Sequence, residues 1–486
     1  MSNLDHWHHY LDSTSLVTTS IVVLLSSVFA YYGWNIFNYS RKNSIDLFYV
    51  EPETKEHDER NVGFGYGDNF ARFIKEKIPS LYGPDSGFKA AWWLPGGNAQ
   101  TMYSSLGNFS KIYPIIYERK YIQLADGGLL TLDVTPPFST APVEENENVV
   151  LIVHGLTGGS HEAYVRAALS ELTLPKTSAG LGMRAVVMNS RGCNNSPVIT
   201  PRLYGAGSSD DARSAILWAC HTFPYARLFG LGFSLGANIL TKYTGEESDS
   251  CPLSGLVSLA NVWDFAVGSH HLERGTLINR YVYRNVLGDA LRTLIHKHRH
   301  AFLSSPHSPI PDAILEDLFR RRRVSLKEYD EIVASRMFRC KNAMDYYEKI
   351  GSVKVMENIR VPVLAINSWD DPIISRECLP IDKVHQNPWI VLAVTHGGGH
   401  LGWFESDKKI EGGVGRWYAK PVRQFFSALI ELGEPPRPKP RLEIDDDGFV
   451  HLEGREDVGF LEVTLDSDSL DYIASGMGES KLLGGF

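Results

Sequence analysis

The chain has 486 residues, of which 43% are hydrophobic, the composition of a folded globular protein with a sizeable core. Its net charge of −9 argues against a general affinity for nucleic acid, so no nucleic-acid partner is expected. Five scattered cysteines without C-x-x-C spacing predict free thiols rather than a disulfide framework or a zinc site: Cys193, Cys220, Cys251, Cys340 and Cys378.

The first marked feature is an uncharged segment of 23 residues at positions 15–37. It is long enough to cross a bilayer as a helix, and the aromatic residues near its end suit a membrane interface. A cleaved signal peptide is the alternative, but the chain begins with Asp5 and Asp12 where a signal peptide carries basic residues. We therefore expect a single-pass membrane protein of the endoplasmic reticulum or another internal membrane. Arg41 and Lys42 give a slight preference for a cytoplasmic orientation of the domain that follows.

A β pattern begins at residues 121–134, where two apolar runs flank an Asp-Gly-Gly turn and predict a hairpin. Six further apolar runs predict buried strands at residues 149–153, 185–189, 228–233, 255–260, 361–367 and 389–394. Helical patterns lie between several of them, as at 210–221. Strands that alternate with helices predict the α/β class, with a mostly parallel central sheet and helices on both faces.

Two stretches differ in charge from the rest of the chain. Residues 262–357 carry mostly helical patterning and hold 16 basic against 12 acidic residues. An insertion at this place can cover a ligand site, so a helical lid is expected. Its arginine run at 320–323 fits either a solvated helix face or a contact with lipid phosphates. Residues 441–486 hold 12 acidic against 3 basic residues, which predicts a peripheral, partly flexible appendage.

Residues 232–236 read Gly-Phe-Ser-Leu-Gly, directly after the third of the six apolar runs and before a good helix start. The pattern G-x-S-x-G between a strand and a helix is typical of a nucleophile turn, in which the serine hydroxyl stands above the sheet. The glycines are needed because this turn is tight and strained. The five-residue pattern alone also occurs by chance, but its context predicts Ser234 as a nucleophile.

A serine hydroxyl needs a base, and the base needs an orienting carboxylate. In folds with this turn, both follow the serine in the order acid, then histidine. Asp370 and Asp371 follow the fifth apolar run, and His396 and His400 follow the sixth, so each role has two candidates. We favour Asp371, which directly precedes a proline, and His400, which follows three glycines on a loop able to reach the serine.

Two backbone N–H groups are also required, to stabilise the negative charge on the attacked carbonyl oxygen. One is expected from Leu235, directly after the nucleophile. The other is expected from the glycine-rich loop at 154–159, with Leu156 as the favoured donor. A phosphate-binding loop is the alternative for 154–159. Neither G-x-x-x-x-G-K-[ST] nor G-x-G-x-x-G occurs there, so no cofactor is expected.

Several segments are specific in combination: LPGGNAQT at 94–101, DGGLLTLDV at 126–134, HGLTGG at 154–159, NSRGCNNSP at 189–197, GFSLGANIL at 232–240, Asp-Asp-Pro at 370–372 and GGGHLGW at 397–403. Together they resemble one α/β-hydrolase subfamily. It contains bacterial YheT-type hydrolases, membrane-anchored phospholipase-like animal members and yeast medium-chain ethyl-ester synthase/esterases. The resemblance covers roughly residues 80–435. It implies an α/β-hydrolase fold with Ser234, Asp371 and His400 as the catalytic triad.

The sequence thus predicts a membrane anchor (1–42), an N-terminal extension (43–120), a catalytic domain (121–435) with a lid insertion (262–357), and an acidic C-terminal tail (436–486). The leading hypothesis is a serine esterase or lipase that hydrolyses acyl esters of lipids, either medium-chain esters or phospholipids, through an acyl-enzyme. The anchor, the basic insertion and the resemblance motivate the lipid substrate. One alternative is an acyltransferase that makes medium-chain fatty acid esters from an acyl donor and an alcohol. A non-catalytic membrane-tethered binding protein is the third hypothesis, and the complete serine, aspartate and histidine set argues against it.

Overall fold

The computed structural model describes residues 44–51, 70–178 and 180–465. The membrane span expected at 15–37 lies outside these ranges, as do the last 21 residues of the acidic tail. Within the described ranges, no helix combines the length and the apolar character that crossing a bilayer requires.

Twelve strands form one sheet, in the order β1-β9-β8-β7-β6-β4-β5-β3-β2-β14-β13-β12, and β10 and β11 form a separate small hairpin. The strands of the described residues are β1 Ile45–Phe48, β2 Glu118–Leu124, β3 Leu129–Thr135, β4 Asn148–Val153, β5 Arg184–Asn189, β6 Arg227–Phe233, β7 Leu253–Leu259, β8 Val363–Ser368, β9 Ile390–Thr395, β10 Phe404–Ser406, β11 Val414–Arg416, β12 Leu442–Ile444, β13 Val450–Leu452 and β14 Arg455–Val463.

The middle of the sheet is parallel. Strands β5, β4, β6, β7, β8 and β9 lie side by side in this order, and they are the six apolar runs of the sequence. Such strands are apolar throughout because both faces of the sheet are covered. In β4, Val149 and Leu151 contribute to one core and Val150 and Ile152 to the other. The predicted α/β architecture is confirmed.

Helices lie on both faces of this sheet. The helices of the described residues are α1 Phe70–Lys77, α2 Gly96–Leu106, α3 Ala163–Leu172, α4 Ser209–Thr222, α5 Leu235–Glu247, α6 Phe265–Arg274, α7 Arg284–Lys297, α8 Asp312–Arg320, α9 Leu326–Tyr329, α10 Ser335–Met337, α11 Ala343–Ile350, α12 Ile381–Val384 and α13 Ala419–Glu431. Helices α1, α3 and α13 pack into one core, and α4 and α5 pack into the other.

The chain between β7 and β8 is mostly helical, as expected for the insertion. It contains α6 to α11 and two π-helical segments, Asn279–Tyr283 and Asp330–Ala334. Buried polar groups attach it to the rest of the domain. The Asn238 side chain on α5 donates to the carbonyls of Ala206 and Ile350, both at 2.9 Å. The Tyr346 hydroxyl accepts the Ala206 N–H at 2.8 Å.

The arginine run of the insertion begins at the exposed end of α8. Arg320 pairs with Glu316 and Arg321 pairs with Asp317, one helical turn earlier and each at 2.9 Å. Exposed pairs with this spacing contribute only about 0.3–0.5 kcal/mol each. These pairs favour the solvated helix face over a dedicated phosphate site.

Both outer parts of the sheet come from segments that lie beyond the apolar runs. Strand β1 pairs antiparallel with β9, and β14 pairs antiparallel with β2. Residues 442–463 of the acidic tail form β12 to β14 at this end of the sheet. Val458 and Phe460 of β14 are buried, and the Trp218 indole N–H on α4 donates to Glu462 at 2.9 Å. Acidic neighbours hide this short alternation of apolar residues in the sequence.

Candidate active site

Ser234 lies in the sharp turn between β6 and α5, with a φ of +51° that non-glycine residues rarely adopt. Its backbone N–H donates to the Leu259 carbonyl at 2.8 Å, which fixes the turn to the neighbouring strand. A Cβ on Gly236 would stand 2.1 Å from the Val153 carbonyl oxygen, and one on Gly232 would stand 2.4 Å from Ala237 Cα. Both glycines are thus required by close backbone packing.

Three side chains form a continuous chain of hydrogen bonds at this turn. His400 Nε2 lies 2.8 Å from Ser234 Oγ, and His400 Nδ1 lies 2.7 Å from Asp371 Oδ2. With Asp371 ionised, Nδ1–H is the donor to the carboxylate, and Nε2 is then free to accept the serine hydroxyl proton. This is the arrangement in which a histidine can act as a base toward a serine.

Backbone contacts hold the acid and the base of this chain in place. The second carboxylate oxygen of Asp371 accepts the N–H groups of Ile373 and Ile374 at 2.8 and 2.9 Å. The His400 backbone N–H donates to the Thr101 hydroxyl at 2.8 Å. Both side chains are therefore oriented before substrate binds, which limits the reorganisation that the reaction requires.

The structure places the competing candidates elsewhere. Asp370 accepts the Ser368 hydroxyl at 2.6 Å and the Gly399 N–H at 2.9 Å, so it supports the loop that carries His400. Burial raises the pKa of Asp370 to about 7. His396 Nε2 lies 3.3 Å from Asp46 on β1. Of the four candidates, Asp371 and His400 are therefore the two that form the hydrogen-bond chain with Ser234.

The loop at 154–159 approaches the serine from β4. Its backbone N–H groups are engaged on both sides of Leu156: Gly155 donates to the Tyr164 hydroxyl at 3.0 Å, and Thr157 donates to the Tyr204 hydroxyl at 2.9 Å. The Leu156 N–H has no acceptor among the described residues, and Leu156 and Leu235 line the same pocket as Ser234. Two N–H groups can thus serve a carbonyl oxygen at the serine.

A buried histidine fastens this loop to the 189–197 segment. His154 Nε2 accepts the Ser190 N–H at 3.1 Å, and its Nδ1–H donates to the Gly155 carbonyl at 2.6 Å. Burial lowers the pKa of His154 to about 4, so the ring is neutral. Arg191 of the same segment pairs with Asp211 at 2.8 Å. These motif residues are structural, and they fix the position of the loop beside the serine.

A largely apolar pocket opens at Ser234 and His400. The insertion supplies much of its wall: Phe265, Leu272, Leu287, Leu291, Leu294, Leu326 and Tyr329 line it. The loop after β8 adds Ile373 and Ile374. A chain of methylene groups can be buried here. In the part of the chain that the structure describes, no cluster of three or more His, Cys, Asp or Glu is placed to hold a metal ion.

The sequence reasoning missed the role of helix α2. Thr101 accepts the His400 N–H, and Gly97 packs so tightly that a Cβ there would stand 1.8 Å from the Asp370 carbonyl oxygen. The Tyr283 hydroxyl of the insertion donates to Asn98 of the same helix at 2.9 Å. In the sequence, the segment at 94–101 contributes to the family resemblance, but nothing in it indicates which residues it contacts.

The chain is similar to several proteins of known family. Residues 148–383 match the family model for the alpha/beta hydrolase fold. The chain is 31% identical to a monoacylglycerol lipase of Saccharomyces cerevisiae, over 72% of this chain and 82% of that protein. It is 28% identical to medium-chain fatty acid ethyl ester synthase/esterase 2 of the same organism, over 75% and 90%. It is 27% identical to phospholipase ABHD3 of Homo sapiens, over 76% and 84%.

The fold, the matched family model and these relatives lead to one conclusion: the chain belongs to the α/β-hydrolase family and is a serine ester hydrolase.

Proposed function

We propose that this enzyme hydrolyses acyl esters of lipids, with Ser234 as nucleophile, His400 as general base and acid, and Asp371 as the group that orients the histidine. The observation that carries the proposal is the hydrogen-bond chain from Asp371 to Ser234, which opens into an apolar pocket. The N–H groups of Leu156 and Leu235 form the proposed oxyanion hole.

The reaction proceeds in two halves. Ser234 Oγ attacks the ester carbonyl while His400 Nε2 takes its proton, and the oxyanion accepts hydrogen bonds from Leu156 and Leu235. The C–O bond to the alcohol then breaks, and His400 returns the proton to the departing alkoxide. Water next attacks the acyl-serine with His400 again as base, which releases the fatty acid and restores Ser234.

The pocket supports a lipid as the source of the acyl group. Leu287, Leu291 and Leu294 lie along one helix of the insertion and face this space together with Ser234. Two of the relatives, a monoacylglycerol lipase and a phospholipase, carry lipid substrates in their names. Burial of each methylene group contributes about 0.8 kcal/mol, so a longer acyl chain should bind more tightly until it fills the pocket.

A series of p-nitrophenyl esters from acetate to palmitate tests this proposal. We expect kcat/KM to rise about fourfold for each added methylene and then to fall once the chain exceeds the pocket. In the Leu291→Trp variant the optimum should shift to shorter chains. The matched control is Leu277→Trp, because Leu277 is 69% exposed on the same insertion. A flat profile in the wild type would contradict the lipid proposal.

Transfer of the acyl group to an alcohol is the second candidate. The reacting groups are well shielded, since Ser234 is 6% and His400 is 3% exposed, and the name of one relative includes ester synthesis. Whether water or an alcohol takes the acyl group depends on how far the site excludes water. The same ester series with added ethanol distinguishes the two: ethyl ester as the main product indicates transfer, and free acid indicates hydrolysis.

We also propose that residues 15–37 hold the enzyme in an internal membrane such as the endoplasmic reticulum, as a single-pass protein. The support is the uncharged length of this segment, and the segment lies outside the described residues. An enzyme held at a membrane in this way has its pocket close to lipid substrates.

Two charges in the middle of this segment should release the full-length protein. An arginine near the centre of a membrane helix costs about 2.5–3.5 kcal/mol, so Leu24→Arg with Val28→Arg should move the enzyme from carbonate-washed membranes to the supernatant. The matched control, Leu24→Ile with Val28→Leu, should stay with the membranes. Wild-type protein in the carbonate supernatant would refute the anchor.

A further inference from the structure

Three of the polar side chains in the wall of the apolar pocket lie together within the insertion, and the ester chemistry does not use them. Ser269 lies on α6, Asp330 begins the π-helical segment Asp330–Ala334, and Tyr347 lies on α11. All three line the pocket, and all three belong to the insertion. We call them the polar subsite.

The subsite is a small hydrogen-bonded unit centred on a carboxyl group. The Tyr347 hydroxyl donates to Asp330 Oδ2 at 2.7 Å, and Ser269 lines the same wall of the pocket. Asp330 is only 7% exposed, and Tyr347 is the one hydrogen-bond partner of its side chain among the described residues. Burial raises the pKa of Asp330 to about 7. Near neutral pH a large share of this carboxyl is therefore protonated and can donate as well as accept a hydrogen bond.

A role in holding the insertion to the rest of the domain does not explain the position of the polar subsite. Polar bonds between the insertion and the rest of the domain include those of Tyr346, Asn238 and Tyr283, whereas the Asp330 side chain bonds to Tyr347 of the insertion itself. The Asp330 carboxyl makes one side-chain hydrogen bond in a largely apolar wall, so it can form further hydrogen bonds. Its unused capacity is available to a bound ligand.

We propose that Asp330, with Tyr347 and Ser269, binds a hydroxyl group of the substrate and makes the enzyme selective for hydroxylated lipid esters. The proposal rests on the proposed function, since it concerns the same pocket. The hydroxyl can lie on the acyl chain or on the alcohol part of the ester. In either position it donates to or accepts from the Asp330 carboxyl, and an unsubstituted chain leaves that group unpaired.

The test is a competition assay with the full-length enzyme in detergent micelles. Equimolar decanoate esters with and without a hydroxyl group compete for the enzyme, and the product ratio gives the ratio of the two kcat/KM values. This ratio does not depend on how much of a variant is folded, so the selectivity of a destabilised variant can still be measured. For the wild type we expect a preference of about tenfold for the hydroxylated ester.

The acyl and alcohol positions are tested in separate arms. The first arm pairs p-nitrophenyl decanoate with its hydroxydecanoate analogues, with the hydroxyl moved along the chain. The second arm pairs ethyl decanoate with monodecanoylglycerol. Preference in the first arm places the recognised hydroxyl on the acyl chain, and preference in the second places it on the alcohol. Either result supports the subsite, and equal rates in both arms overturn it.

Variants then assign the preference to the carboxyl. Asp330→Leu should abolish the selectivity, so that the ratio of the two kcat/KM values falls to about one. Asp330→Asn should retain part of the selectivity because an amide also donates and accepts, and Tyr347→Phe should lower it. The matched control is Asp317→Asn, an exposed carboxylate of the same insertion, which should behave as wild type. Full selectivity in Asp330→Leu would overturn the proposal. Absence of turnover for every ester in the wild type would instead defeat the proposed function.

Discussion

Replacement of Ser234 by alanine is expected to lower kcat for ester hydrolysis by about 10⁵- to 10⁶-fold, the loss typical of removing the nucleophile from a serine triad. The φ of +51° at this position is borne by the backbone, so the substitution removes the hydroxyl without relieving the turn. Substrate should still bind in the pocket. Steady-state hydrolysis of a p-nitrophenyl ester measures the rate, and covalent labelling with a fluorophosphonate probe reports the nucleophile directly.

The matched control is Ser427→Ala on the exposed face of α13, where the hydroxyl bonds to Glu431 and has no contact with the pocket. Wild type and this control should be labelled equally, and Ser234→Ala should not be labelled. Equal labelling of Ser234→Ala would show that another residue is the nucleophile.

The second large effect is expected at His400. His400→Ala leaves Ser234 without a base and Asp371 Oδ2 without its histidine partner, so kcat should fall by about 10⁵- to 10⁶-fold. His396→Ala should retain most of the activity, because His396 contacts Asp46 at the edge of the sheet and not the serine. Assay of both variants with the same ester measures the contrast.

Thermal unfolding of both histidine variants separates a catalytic loss from a folding loss. His400→Ala should remain folded while it is inactive. A reversed pattern, with His396→Ala inactive and His400→Ala active, would exchange the two roles. Partial recovery of His400→Ala by added imidazole would further indicate that the missing group is a base.

The central sheet and the serine turn could be predicted because their signals are local. An apolar run in a parallel strand reflects burial on both faces, and it needs no knowledge of its partner strand. The turn at Ser234 carries the local pattern G-x-S-x-G: Gly232 packs against the nearby Ala237, although Gly236 packs against the distant Val153. The order of Asp371 and His400 after the serine then reflects the direction of the chain through the sheet.

The remaining features depend on contacts between distant parts of the chain. No local pattern connects Thr101 with the His400 backbone, since the two lie 299 positions apart. Strand β14 pairs with β2 across a comparable distance, and its acidic composition suggested a solvated tail. The polar subsite was hidden for the same reason, because Asp330 lies in a charged stretch and becomes buried only when the insertion folds.

Helix α2 has a consequence for where the catalytic unit begins. The family model matches from residue 148, yet Gly97 packs against Asp370 and Thr101 holds the backbone of His400. The functional unit therefore starts at Gly96 or earlier, ahead of the six parallel strands β4 to β9. Helix α2 thus completes the active site from outside the matched family region. In a chimera between relatives, α2 and the catalytic core should therefore be exchanged together.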